Sequence, residues 1–212
     1  MPEPLSKRNY NGRSPQQRAQ ARKQRLLDAA LEIIGTVGFQ AARINDICRT
    51  AGVSQRYFYE SFHDSEDLLL QLYQREFERM TTATLSGIGD PGGNLIEQLR
   101  QVLLSWFGTI DANRMAAQII FFEVHGVSKQ AEEVFLAGRS AFRDYVATFL
   151  APVFAATPSN NLDPRVVTIG VVGALLELVR TWLLGELDLS VEQMVDRLLT
   201  VVVQFTDLAQ GA

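Results

Sequence analysis

Apolar residues along this chain recur three and four positions apart, the period of a helix with one buried face, and no run alternates apolar and polar long enough for a strand. The pattern predicts an all-α chain of about nine helices. Ser14-Pro15-Gln16-Gln17 joins a Ser N-cap, Pro at the first helical position and Gln at the third, so the first helix is expected to start there. Leu27, Ala30, Ile34 and Val37 continue it, and Gly38 is its C-cap candidate. Short helices are expected over 43–50, with Ile44 and Ile47 on one face, and over 55–62, separated by Ala51-Gly52-Val53-Ser54. Asp64-Ser65-Glu66-Asp67 opens a fourth, whose Leu69, Tyr73, Phe77 and Met80 share a stripe. Further helices are expected over 94–111, 114–124, 128–154, 164–185 and 191–208, with Asp163-Pro164 and Ser190-x-x-Gln193 opening the last two.

The break at 86–93 spells G-x-G-x-x-G from Gly87, but a helix precedes it and Pro91 interrupts it. A dinucleotide fingerprint needs a strand before and a helix behind, so none is expected. The four segments read from this pattern are 1–15, a basic arm; 16–63, a compact three-helix head; 64–86, a connecting helix; and 87–212, a larger helical body.

Composition changes the picture once the chain is divided. The net charge is -4, but residues 1–62 carry ten Lys and Arg against five Asp and Glu, and residues 63–212 carry ten against nineteen. A basic head therefore sits on an acidic body, and Lys7, Arg8, Arg13, Arg18, Arg22, Lys23 and Arg25 run without an intervening acid. That asymmetry suggests an anionic partner for the head alone. One cysteine, Cys48, forms no internal disulfide, and with two histidines it is too few for a structural zinc site, so neither metal nor cofactor is expected. The N-terminus has no apolar stretch of the signal-peptide kind, and the longest apolar run, 166–176, is too short to span a bilayer. A cytoplasmic protein without a membrane partner is the expectation.

Two short helices joined by Ala51-Gly52-Val53-Ser54 and packed on a longer one have the helix-turn-helix arrangement. Ala51 is small enough for close approach, Gly52 permits the turn, Val53 can plug the angle, and Ser54 is expected to cap the second helix. Phe58 and Phe62, four apart, should face the small core with Ile44, Ile47 and Val53. Gln55, Arg56, Tyr57 and Tyr59 then remain outside, where Arg can read guanine, Gln can read adenine and Tyr hydroxyls can bond phosphate.

Through ARINDICRTAGVSQRYFYESFHDSEDLL, and AGVS, Tyr59 and Phe62 above all, the chain resembles the TetR family of transcriptional regulators from about residue 18 to residue 80. The resemblance implies that Arg43 and Ser54 stand at the two helix starts near DNA, that Gln55, Arg56 and Tyr57 face base edges, and that Tyr59 and His63 meet the backbone. The chain departs from the family pattern at Arg43, where Thr is frequent, and at Ser65, where Lys is frequent. The resemblance also implies a palindromic double-stranded DNA operator, a small-molecule effector bound in the body, and a homodimer formed by the last two helices. A repressor, not an enzyme, is the expected function.

Large side chains crowd the middle helices. Trp106, Phe107, Phe121, Phe122, Phe142 and Tyr145, with the polar groups of His125, Glu177 and Arg180 among them, are the candidates for contact with a hydrophobic or amphipathic effector. Glu177 and Arg180 are three apart and can simply pair. Val191, Val195, Leu198, Val202 and Phe205 form a bundle seam, and Val167, Val171, Ala174 and Leu178 form another, beside Gly170 and Gly173. The alternative is a small helical ligand carrier or enzyme with a basic head, but no nucleophile, base and orienting group stand together in the sequence.

Overall fold

A computed structural model describes residues 14–88, 94–156 and 163–210, with nothing described of the side chains at 153, 156 and 202–210. Lys7, Arg8 and Arg13 of the basic arm, most of the glycine motif and the side chains of Val202 and Phe205 lie outside the described residues. The described elements are helical throughout: α1 Pro15–Val37, α2 Ile44–Ala51, α3 Gln55–Tyr59, α4 Ser65–Gly87, α5 Leu95–Ala112, α6 Arg114–Gln118, α7 Lys129–Ala156, α8 Pro164–Leu183 and α9 Val191–Gln210. A 3-10 turn, Phe39–Ala41, precedes α2, and a π turn, Ile119–Glu123, follows α6. The chain forms two compact units, residues 1–72 and residues 73–212, with α4 running through the boundary.

The helix starts follow local chemistry. Ser14 and Gln17 exchange hydrogen bonds at the head of α1, the Ser14 nitrogen donating at 2.7 Å and its hydroxyl accepting at 3.1 Å. Ser190 and Gln193 repeat this reciprocal box at α9, and the Asp163 carboxylate accepts from the Arg165 nitrogen at α8. At α4 the Asp64 carboxylate accepts from the Asp67 nitrogen at 2.9 Å, and the Asp67 carboxylate accepts from the His63 nitrogen at 2.8 Å.

In the first unit the core is built from three directions. Leu26, Leu27, Ala30 and Ile34 come from α1, Ile47 and Cys48 from α2, and Phe58 and Phe62 from α3 and its exit. The first eight residues of α4 add Leu68, Leu69 and Leu72. Val37, expected on the buried stripe of α1, is 55% exposed because the helix ends at Gly38 before that turn meets a neighbour; Leu26 and Ala29 widen the buried face instead. Burial raises the Cys48 thiol pKa, in keeping with a small core hydrophobe.

In the second unit α9 packs on α5 and α8 on α7. Arg100 of α5 pairs with Asp196 of α9 at 2.5 Å, and Met194, Val195 and Leu199 supply the buried face of α9. On α8 the buried stripe is Thr168, Val172, Leu175, Val179 and Trp182, at steps of four and three. It is rotated from the expected Val167, Val171, Ala174, Leu178 stripe: Ala174 is exposed and the other three are half-buried. The opposite face of α8 is apolar too, with Val166 66% and Ile169 58% exposed beside the open Gly170 and Gly173. This helix continues beyond Glu177, so by length and composition alone it could cross a membrane, contrary to the reading from its uninterrupted apolar run.

Candidate DNA-binding face and ligand cavity

The turn between α2 and α3 works as its residues require, with one exception. Gly52 sits in the left-handed region at φ 60°, the conformation that ends α2 while the chain reverses. Buried Val53 fills the angle, its nitrogen donating to the Cys48 carbonyl at 3.0 Å. Ser54 occupies the N-cap position of α3, but its side chain makes no capping bond; only its carbonyl accepts, from Tyr57 and Phe58 nitrogens. The hydroxyl is therefore not committed to the cap.

With Phe58 fully buried, its neighbours Gln55, Arg56, Tyr57 and Tyr59 are all exposed, in line with a period of 3.6. Each is held by a local partner. Gln55 Nε2 donates to Asn45 Oδ1 of α2, and Arg56 Nε lies 3.2 Å from Glu60 Oε1. The Arg22 guanidinium of α1 stacks 4.1 Å from the Tyr57 ring centroid, and the Tyr59 ring meets Phe58 edge-on at 5.2 Å. Arg43 is exposed at the N-cap of α2, where its carbonyl accepts from Asp46 and Ile47 nitrogens. His63 is exposed with Nδ1 3.0 Å from Asp64 Oδ2, a bond that raises its pKa above the usual histidine value. Sequence reasoning missed Arg22 and Asn45, because neither lies on α3.

The second unit holds a half-open cavity of about 480 Å³, within the usual range for small-molecule sites. Tyr73, Phe77 and Met80 of α4 line it, with Trp106 of α5, the π turn, α7 and, from α8, Gly173, Leu175, Leu176, Glu177 and Arg180. Of the sequence candidates, Trp106, Phe121, Phe122, His125, Phe142, Tyr145, Glu177 and Arg180 reach this cavity. Phe107 does not. It points the other way, fully buried against Trp106 at 4.9 Å and Trp182 at 6.0 Å, so it is a core residue. Trp106 stacks on Phe142 at 5.1 Å and presents an aromatic wall to the cavity.

Two wall features depend on backbone geometry that periodicity does not reveal. The π turn Ile119–Glu123 carries Ile120, Phe121 and Phe122 to the lining, and Gln118 Nε2 bridges it to Glu123 Oε1 at 2.9 Å. Such turns widen a helix locally and rotate the following side chains. Gly138 of α7 makes room for Tyr73: a Cβ there would collide with the Tyr73 hydroxyl and lie 3.2 Å from the ring carbon that bears it. Tyr73 is itself buried, which pushes its phenol pKa up to about 12 and keeps it protonated. Gly138→Ala is expected to destabilise the protein by about 1–3 kcal/mol through overpacking, offset in part by the helix preference of Ala. Adding Tyr73→Phe should recover most of the loss in urea denaturation; an unchanged midpoint for Gly138→Ala alone would show that the ring moves aside freely.

Among the described residues no group of three His, Cys, Asp or Glu is placed to hold a metal ion. Charged groups at the cavity are few: Glu177 and Arg180 pair loosely at 3.7 Å, Arg139 stands over the Phe135 ring, and His125 Nδ1 lies 2.9 Å from Glu132.

Residues 26–72 match the family model for bacterial regulatory proteins of the tetR family. The chain is 25% identical over 122 residues to the HTH-type transcriptional regulator AcrR of Shigella flexneri, covering 56% of this chain and 57% of that protein, under two thirds of its length. It is 22% identical over 178 residues to the HTH-type transcriptional activator FasR of Mycolicibacterium smegmatis, covering 82% and 78%. Its fold is similar to the crystal structure of the transcriptional regulator FadR from Bacillus subtilis in complex with stearoyl-CoA, with a TM-score of 0.73, 19% identity, and coverage of 85% and 97%. Residues 26–72, which hold the helix-turn-helix of α2 and α3, thus belong with the tetR family of bacterial regulatory proteins, and the described helices share the fold of solved regulators.

Proposed function

We propose that the chain is a homodimeric repressor that reads a palindromic DNA operator through α3 and is released by a hydrophobic or amphipathic small molecule bound in the cavity. The observation that carries this reading is the exposed row Gln55, Arg56, Tyr57 and Tyr59 over buried Phe58, on a head enriched in Lys and Arg. Arg56 and Gln55 supply the donors that read guanine and adenine, while Arg43, Tyr59 and His63 bond phosphate. Two such heads one helical turn apart match a palindrome. The exposed apolar face of α8 around Val166 and Ile169 supports pairing with a second copy through the last two helices. The similarity to a regulator that holds stearoyl-CoA supports an effector with a long apolar part.

In this reading α4 links the events, because one helix contributes Leu69 and Leu72 to the core of the head and Tyr73, Phe77 and Met80 to the cavity wall. The effector shifts the population toward the form that binds DNA poorly, by as much as it prefers that form.

Arg56→Ala tests the head. Specific binding should weaken by about 1–3 kcal/mol if Arg56 reads guanine, with the loss concentrated on operators that carry that base. An equal loss on every duplex assigns it to phosphate instead. Binding should also weaken steeply with salt, as counterions are released; a flat salt series contradicts the reading.

His63 adds a pH dependence. Its pKa is raised by the hydrogen bond to Asp64, so its charge, and any phosphate contact it makes, is fully present below the ordinary value of about 6.5 and is lost as pH rises through the raised folded value. DNA affinity should fall across that window, and His63→Gln should flatten the fall. A wild-type profile that His63→Gln leaves unaltered removes His63 from the interface.

A further inference from the structure

The cavity is not the same at its two ends. α7 ends at Ala156 and α8 begins at Pro164, and the two helices pack together, so they run back along one another in antiparallel fashion. Arg139 stands 17 residues before the end of α7 and Arg180 stands 16 residues after the start of α8. At about 1.5 Å per residue both lie roughly 25 Å from the adjoining helix ends at Ala156 and Pro164, at one level. Both line the cavity. Past Glu177, nearer those two helix ends, the lining from the same helices is Tyr145, Val146 and Phe149 on α7 and Gly173, Leu175 and Leu176 on α8, with no charged group.

The two arginines differ in what already holds them. Arg180 shares Glu177, at 3.7 Å, with both side chains more than half exposed. Arg139 makes no ion pair among the described residues; its guanidinium lies 5.9 Å from the centre of the Phe135 ring. An aromatic face orients a guanidinium without consuming its hydrogen-bond donors, and the planar fork suits two oxygens of a carboxylate or a phosphate.

We infer that Arg139, aided by Arg180, forms an anion subsite that fixes the direction of the effector, with a negatively charged head group at Arg139 and an apolar tail toward Val146, Phe149 and Gly173. This deepens the effector reading above and rests on it. The shared chemistry is an oxyanion on a long alkyl chain; the carboxylate of a free fatty acid and the phosphates of a fatty acyl thioester of coenzyme A are its two sources.

The test uses full-length protein and its tryptophan fluorescence, to which Trp106 contributes from the cavity wall and Trp182 from the core. Three probes with one chain length are titrated: hexadecanoate, hexadecanoyl-coenzyme A and uncharged hexadecanol. At least one anionic probe should bind about tenfold or more tightly than the alcohol, the scale of a hydrogen bond to a charged group; the acid or the thioester being the tighter identifies the source. Arg139→Gln should bring that probe close to the alcohol and leave the alcohol unchanged, and Arg139→Lys should restore part of the difference. The alcohol binding as tightly as both anions, or Arg139→Gln weakening all three equally, overturns the subsite while leaving an apolar effector in place. If no probe binds, the long-chain effector reading falls and the subsite with it.

Discussion

Phe58→Ala is expected to abolish DNA binding and to destabilise the head by about 3–5 kcal/mol. The residue is fully buried, with the Phe62 ring 5.5 Å away and the Tyr59 ring 5.2 Å away. Its importance follows from the shortness of α3, which has five residues and cannot hold a helix by its own hydrogen bonds. Docking of Phe58 against α1 and α2 is what gives Gln55, Arg56 and Tyr57 a fixed direction. Against a total stability of about 5–15 kcal/mol for an ordinary domain, the loss removes much of the margin. Both tryptophans, Trp106 and Trp182, belong to the second unit, so circular dichroism should show an early loss of helix while tryptophan emission reports the body. Wild-type DNA affinity in Phe58→Ala would show that α3 does not need its anchor.

Phe107→Ala should be of similar size, about 3–5 kcal/mol, and should fall on the body. Phe107 is wedged between Trp106 and Trp182, and the Arg114 guanidinium stacks 4.7 Å from the far partner, Trp182. Trp182 Nε1 also donates to the Leu189 carbonyl at 3.1 Å, which ties the end of α8 to the start of α9. Removing the phenyl ring therefore leaves a hole where three helices meet. The tryptophan emission transition should move to lower urea, and effector affinity should fall only as far as the folded fraction does. A large loss of ligand affinity at unchanged stability would return Phe107 to the cavity wall.

The different legibility of head and body has a physical cause. In the head, function rests on local rules: Ala51-Gly52-Val53-Ser54 sets the turn, a 3.6 period separates Phe58 from Arg56 and Tyr57, and both can be read from adjacent residues. The Arg22 stack on Tyr57 and the Asn45 bond to Gln55 were not legible, because they join residues far apart in sequence. In the body, aromatic residues were recognisable but their directions were not. Trp106 and Phe107 are neighbours, yet one faces the cavity and one the core. On α8, apolar residues surround the helix, so periodicity alone did not say that Val172 and Val179 face inward while Val166 and Ile169 face out. Tyr73, Phe77 and Met80 share one stripe of α4 by periodicity, and their place in the cavity wall appears only when Gly138 and the π turn open space beside them.

Sequence-specific recognition by a dimer is the central claim, and selection from a random duplex library by the full-length protein at physiological salt tests it most directly. The account predicts an enriched palindrome whose half-sites lie about one helical turn apart, lost in Arg56→Ala. A folded protein that enriches no sequence, or enriches only an asymmetric single half-site, would contradict it.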